Sequence, residues 1–208
     1  MNKKSEIINA YKQKITKEAD KLFCELGIEK TTMDMISRVA GYSKATVYSY
    51  FPSKNEVLFS IVHSRMKMIM NTIDLIALED CSVYDKFIKI CVAYSELQKQ
   101  DPVYFEAMIS NIDANINNPS LPEIYRDIYQ TGIETNEIIG RVIKEGIVEG
   151  VLGKNIDINE TILFTWGCIS GLIRMASQKE EYIKMNGISR DEFLMNSFRR
   201  LIKGLIKR

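Results

Sequence analysis

The stretch AGYSKATVYSYFPSK, Ala40 to Lys54, sets three aromatic residues into positions 48–51 and frames them with two serine-lysine pairs, Ser43-Lys44 and Ser53-Lys54. A buried helix needs an apolar stripe and a solvated helix needs charges, and this segment has neither pattern. Its punctuation predicts a tight turn at Ala40-Gly41-Tyr42, a helix capped by Ser43 that runs through Tyr50, and a break at Pro52.

Upstream, Ile8, Tyr11, Ile15, Leu22 and Leu26 share one face of a first helix that Gly27 ends, and Thr31 or Thr32 caps a short helix through Val39. Two short helices joined by a Gly-containing turn make a helix-turn-helix. Val47 and Phe51 are expected to face the two preceding helices, leaving Lys44, Ala45, Tyr48 and Ser49 to point elsewhere. That outward set suits a helix entering the major groove of DNA. Ser43 and Ala45 are small enough for close backbone approach, while Lys44, Thr46, Ser49 and Tyr50 offer hydrogen-bonding groups and a methyl to base edges. Tyrosine and lysine also reach phosphate oxygens, and Lys54 adds charge at the free N-terminus of the next helix. The expected DNA-binding set is Thr32, Ser43, Lys44, Ala45, Thr46, Tyr48, Ser49, Tyr50 and Lys54. Aromatics at helical spacing are commonly core, so Tyr48 and Phe51 are each expected to be at least half buried.

The net charge of +1 hides an asymmetry: residues 1–60 hold 10 Lys or Arg against 7 Asp or Glu, residues 61–189 hold 12 against 18, and residues 190–208 hold 6 against 2. A positive N-terminal excess permits phosphate contact. The hydrophobic fraction of 46% with 26% charged residues is that of a globular chain. The longest uncharged apolar run, Thr161 to Ile173, is too short to span a bilayer, and the N-terminus lacks the features of a signal peptide, so the chain is expected to be cytoplasmic with no membrane partner. Cys24, Cys81, Cys91 and Cys168 are scattered and His63 is the lone histidine, so no metal site is expected and the cysteines are expected to pack as small hydrophobes.

Helical periodicity continues through the rest of the chain. Ser53 and Glu56 form a capping box for a long fourth helix. Asp101-Pro102 opens a helix with Phe105, Met108, Ile109, Ile112 and Ile116 on one face. The loop NNPSLP precedes a long helix from Leu121, Asp157 caps the next, and Ser189 with Glu192 caps the last. The fold class is all-α, about nine helices and no strands, with a helix-turn-helix domain at 1–52 and a larger ligand-binding and dimerisation domain at 53–208.

From Ile15 to Leu58 the chain resembles the TetR-family transcriptional regulators. LFCELGIEKTTM followed by ISRVAGYSKATVYSYFPSKNEVL fills nearly every fixed position of that family's pattern, with departures at Ser37, Tyr42, Ala45 and Asn55. The resemblance implies a ligand-released repressor, a palindromic double-stranded DNA operator, and a homodimer built mainly from the last two helices. Gly167 and Gly171, four apart beside Ser170, would permit close helix approach, and the expected dimer face is Trp166, Gly167, Ser170, Gly171, Leu194, Phe198, Leu201 and Leu205. Packing within the same subunit would explain the same glycines. The resemblance places an effector among the middle helices. Met66, Met70, Tyr104, Phe105, Met108, Tyr125, Tyr129 and Trp166 are its candidate lining, apolar and aromatic, which favours a small hydrophobic effector. His63 is placed on the connector helix, where it could transmit the change. No catalytic set and no cofactor is expected. The alternative, a helical-bundle enzyme or carrier with no DNA role, would need inward carboxylates such as Glu134, Glu137 and Glu145, which read instead as a solvated face.

Overall fold

The computed structural model describes residues 3–110 and 118–206, so Ile112 and Ile116 lie outside the described residues. Among those described it is all-helical: α1 Lys3–Leu26, α2 Met33–Ala40, α3 Lys44–Tyr50, α4 Lys54–Ala77, α5 Val83–Gln100, α6 Pro102–Ile109, α7 Glu123–Val148, α8 Ile158–Gln178, α9 Glu180–Met185 and α10 Arg190–Leu205. Caps set most of the boundaries. Ser43, Asp157 and Ser189 each accept the amide N–H of the residue three further on, and Ser53 does the same for Glu56 at 3.2 Å. The stretch 78–82 divides α4 from α5 with neither Gly nor Pro. Its stop is the Ser82 cap, whose Oγ accepts from the Asp85 N–H at 3.1 Å.

The chain forms two compact units, Met1–Lys67 with Val103–Thr131 and Met68–Pro102 with Gly132–Arg208. In the first, α1, α2 and α3 pack together around Ile15, Ala19, Phe23, Ile36, Ala40 and Val47, all fully buried. Leu26, expected on that face, is exposed, and Phe23 takes the inward position. A polar cluster ties α1, α4 and α6 of this unit: Asp20 accepts from Tyr104 Oη at 2.8 Å and from Arg65 Nη2 at 3.0 Å, and the Arg65 guanidinium lies 5.6 Å from the Tyr104 ring centre. His63 Nε2 on α4 sits 3.1 Å from Thr131 Oγ1.

In the second unit α10 packs on α5 and α8, and Leu194, Phe198 and Ile202 fill the space between them with Ile169 and Ile173 in the same core. Leu194 and Phe198 therefore do not form the expected dimer face, because both side chains are used within the chain's own core. Leu201 and Leu205 are half-buried, as are Trp166 and Ser170, while Gly167 and Gly171 are exposed. A Cβ at either glycine would meet nothing within 4 Å, so packing within the subunit does not account for them. Two buried polar groups are matched: Lys86 pairs with Glu145 at 2.7 Å, and Arg190 Nη2 donates to Gln98 Oε1 at 2.7 Å. Glu145 thus neutralises a buried ammonium and is not part of a purely solvated face.

Cys91 is buried, which pushes its thiol up, while Cys24 is exposed and Cys81 and Cys168 are half-buried, so packing as a small hydrophobe describes Cys91 alone. No described helix is long and apolar enough to cross a membrane, and the described residues contain no cluster of His, Cys, Asp and Glu placed to hold a metal ion.

Candidate nucleic-acid interface

Thr32 caps α2, its Oγ1 accepting the Met35 N–H at 3.2 Å. Gly41 closes the helix at φ 72°, where a residue with a Cβ would cost about 1 kcal/mol, and the Gly41 and Tyr42 amides donate to the carbonyls of Arg38 and Ser37. Ser37 is buried but satisfied, donating to the Met33 carbonyl at 2.8 Å. The turn then delivers Ser43, which caps α3 through the Thr46 N–H at 3.1 Å.

Val47 and Phe51 anchor α3 inward, both buried. On the opposite side Lys44, Ala45, Tyr48 and Ser49 are exposed, and Thr46 and Tyr50 are half-buried. Tyr48, expected to be half buried, is 46% exposed, because Val47 and Phe51 already define the buried direction and Tyr48 lies off it. Ser49 Oγ donates to the Thr46 carbonyl at 2.7 Å, which uses its proton and leaves its lone pairs for a donor such as a base amino group. Lys44 pairs with Asp34 of α2, and both are exposed, so a phosphate can take the place of that carboxylate at little cost.

Two placements differ from the expected arrangement. The Lys54 ammonium turns onto the loop after α1, donating to the Ile28 carbonyl at 2.7 Å, and so is committed to the chain itself where a free phosphate contact was expected. Tyr50 does not stand free: its ring stacks on Tyr11 of α1, centres 5.1 Å apart and planes 17° from parallel. Tyr11 also meets Tyr42 at 5.0 Å, Lys14 Nζ lies 4.8 Å from the Tyr42 ring centre, and Lys12 Nζ lies 5.7 Å from that of Phe51. The sequence pattern gives α1 no contact role, although Lys12 and Lys14, three and one residues before Ile15, carried the signal.

A helix pair of this geometry, with a buried anchor and an exposed hydrogen-bonding face, defines a helix-turn-helix DNA-binding protein. Residues 15–61 match the model of the bacterial regulatory proteins, tetR family. The chain is 25% identical over 180 residues to the HTH-type transcriptional regulator SrpR of Pseudomonas putida, covering 84% of this chain and 80% of that one. The fatty acid metabolism regulator protein of Bacillus subtilis is 19% identical over 171 residues, 81% of this chain and 86% of that protein. Among solved structures, a TetR/AcrR-family regulator from Thermobifida fusca superposes with a TM-score of 0.73 at 24% identity, covering 95% and 98% of the two chains. The regulator FadR from Bacillus subtilis in complex with stearoyl-CoA gives 0.66 at 17%, covering 94% and 97%. Residues 15–61 therefore carry the DNA-binding pattern of the tetR family, and the relatives that the chain resembles over most of its length are named as regulators.

Of the candidate effector residues, Met66, Tyr104, Phe105, Met108, Tyr125 and Tyr129 lie in the first unit, and Met70 and Trp166 lie in the second. Tyr104 and Phe105 are fully buried core and offer no surface to a ligand in this state. Burial and the hydrogen bond to Asp20 push the Tyr104 hydroxyl above the usual tyrosine range, so it stays a donor. Met66 and Met108 are half-buried against the core, Tyr125 packs on Phe59 with ring centres 4.9 Å apart, and Tyr129 is half-buried. Trp166 meets Tyr94 at 4.9 Å.

Proposed function

We propose that this protein is a ligand-released repressor that binds a palindromic operator as a homodimer. The observation that carries the reading is the division of α3 into a buried anchor, Val47 and Phe51, and an exposed face of Lys44, Ala45, Tyr48 and Ser49. Thr32, Ser43, Thr46 and Tyr50 complete the contact set, with Lys54 acting through the loop it holds. The helix-turn-helix domain at 1–52 reads the operator, and residues 53–208 bind the effector and the second subunit. A two-fold dimer presents two such helices, so the operator is an inverted repeat with half-sites about one or two helical turns, roughly 34 Å each, apart.

The effector is a small hydrophobic molecule. Support comes from the apolar and aromatic character of Met66, Met108, Tyr125 and Tyr129, from the stearoyl-CoA bound to one similar regulator, and from the fatty acid metabolism for which another is named. Release requires the effector to bind the non-operator arrangement about tenfold to a hundredfold better, about 1.4 to 2.8 kcal/mol. Footprinting on duplexes selected by the protein tests the whole reading. Two-fold symmetric protection that long-chain acyl thioesters abolish is the expected result, and protection of one asymmetric half-site would sink the homodimer.

A further inference from the structure

The lysines of the DNA-binding unit divide by what holds them. Lys44 pairs with Asp34, Lys21 with Glu18, and Lys54 is spent on the Ile28 carbonyl. On α1, Lys12 and Lys14 are exposed; Glu18, one turn along, feels the Lys14 charge but is hydrogen-bonded to Lys21. Lys14 is fixed all the same. Its ammonium rests 4.8 Å from the centre of the Tyr42 ring and 3.9 Å from where a Cβ on Gly41 would stand, so it sits against the turn that delivers the recognition helix. The Tyr42 ring is braced in turn by Tyr11, whose other ring contact is Tyr50 of α3. An exposed cation on an aromatic face is held weakly and remains open to an anion on its outer side.

We infer that α1 is a third DNA-contacting element in which Lys14, seated on Tyr42 at the helix-turn-helix turn, contacts a backbone phosphate beside the groove that α3 enters. The inference rests on the DNA-binding reading above. A compact ammonium held on a short turn supplies register and affinity without reading sequence, because phosphates are the same at every base pair. Tyr42, one of the departures from the family pattern, then acts as the seat that keeps the lysine at this position.

The test is the salt dependence of operator binding, measured by fluorescence anisotropy with the full-length protein from 50 to 300 mM salt. Lys14→Ala should lower the slope of log affinity against log salt by about one unit for each bound subunit and leave the preferred sequence unchanged. Lys14→Arg should keep the wild-type slope. Lys184→Ala, which removes the same charge from the other unit, should also keep it. Far-UV circular dichroism and melting of each variant separate misfolding from lost contact. A wild-type slope for Lys14→Ala, or an equal loss for Lys184→Ala, overturns the inference while leaving the DNA-binding reading intact. Absence of salt-dependent binding by the wild-type protein overturns both.

Discussion

The ammonium of Lys54 donates to the Ile28 carbonyl at 2.7 Å, tying the first turn of α4 to the loop that follows α1. A charged hydrogen bond to a half-buried loop contributes about 1 kcal/mol after solvent screening. Lys54→Ala should lower the melting temperature by a few degrees and weaken all sequences alike, with little change in the salt slope. A one-unit fall in slope with unaltered melting would restore Lys54 as a phosphate contact.

Base preference should follow the exposed face of α3. Ser49→Ala removes an acceptor whose proton is already used by Thr46, so it should change which bases are selected while sparing the salt slope. Tyr11→Ala removes the ring on which Tyr50 stacks, and should relax selection at the position Tyr50 reaches, by an amount near the 1 to 3 kcal/mol of one base contact. Selection of binding sites from a random duplex pool for each variant checks both. An unchanged consensus for Ser49→Ala would remove that residue from the reading face.

The elements that sequence reveals are those with local signals. The Ser43 and Ser53 caps, the Gly41 stop at positive φ and the inward pair Val47 and Phe51 all lie within a few residues of what they control. What sequence conceals is carried by distant partners. Arg65 and Tyr104 reach Asp20 from 45 and 84 residues away, and such contacts leave no period in the chain. Lys54 looks like a free cation until the loop at Ile28 is folded against it. The dimer stripe on α10 was ambiguous for a related reason: Leu194 and Phe198 show the helical spacing of an apolar face, and spacing does not say whether the face meets α5 and α8 or another subunit.

Tyr104 predicts the alkaline behaviour. Burial first, and then the Asp20 carboxylate, raise the hydroxyl above its unfolded value of about 10. A raised folded value means the unfolded chain loses its proton first, so the contribution is fully present below about pH 10 and declines as pH rises from there towards the folded value. Tyr94 is raised by burial too and adds to the same decline. Tyr104→Phe should cost about 1 to 2 kcal/mol at pH 8 and flatten the loss of stability above about pH 10, as read by urea melts. A variant as steep as the wild type would assign the alkaline loss to the other raised groups, Tyr94, Tyr125 and Cys91.

Gly167 and Gly171 lie exposed on α8 with open space where a Cβ would stand, and Leu163 and Phe164 beside them are exposed as well. Alanine at Gly171 removes the helix penalty of glycine, about 1 kcal/mol, and fits the isolated chain without a clash. If this face meets a second subunit, bulk there should separate the dimer while leaving each chain folded. Gly167→Glu and Gly171→Leu should therefore sediment as monomers with unchanged helical content, and should lose operator affinity because two recognition helices no longer bind together. Analytical ultracentrifugation across a hundredfold concentration range decides the matter. Wild-type sedimentation by both variants would move the dimer interface off this face of α8.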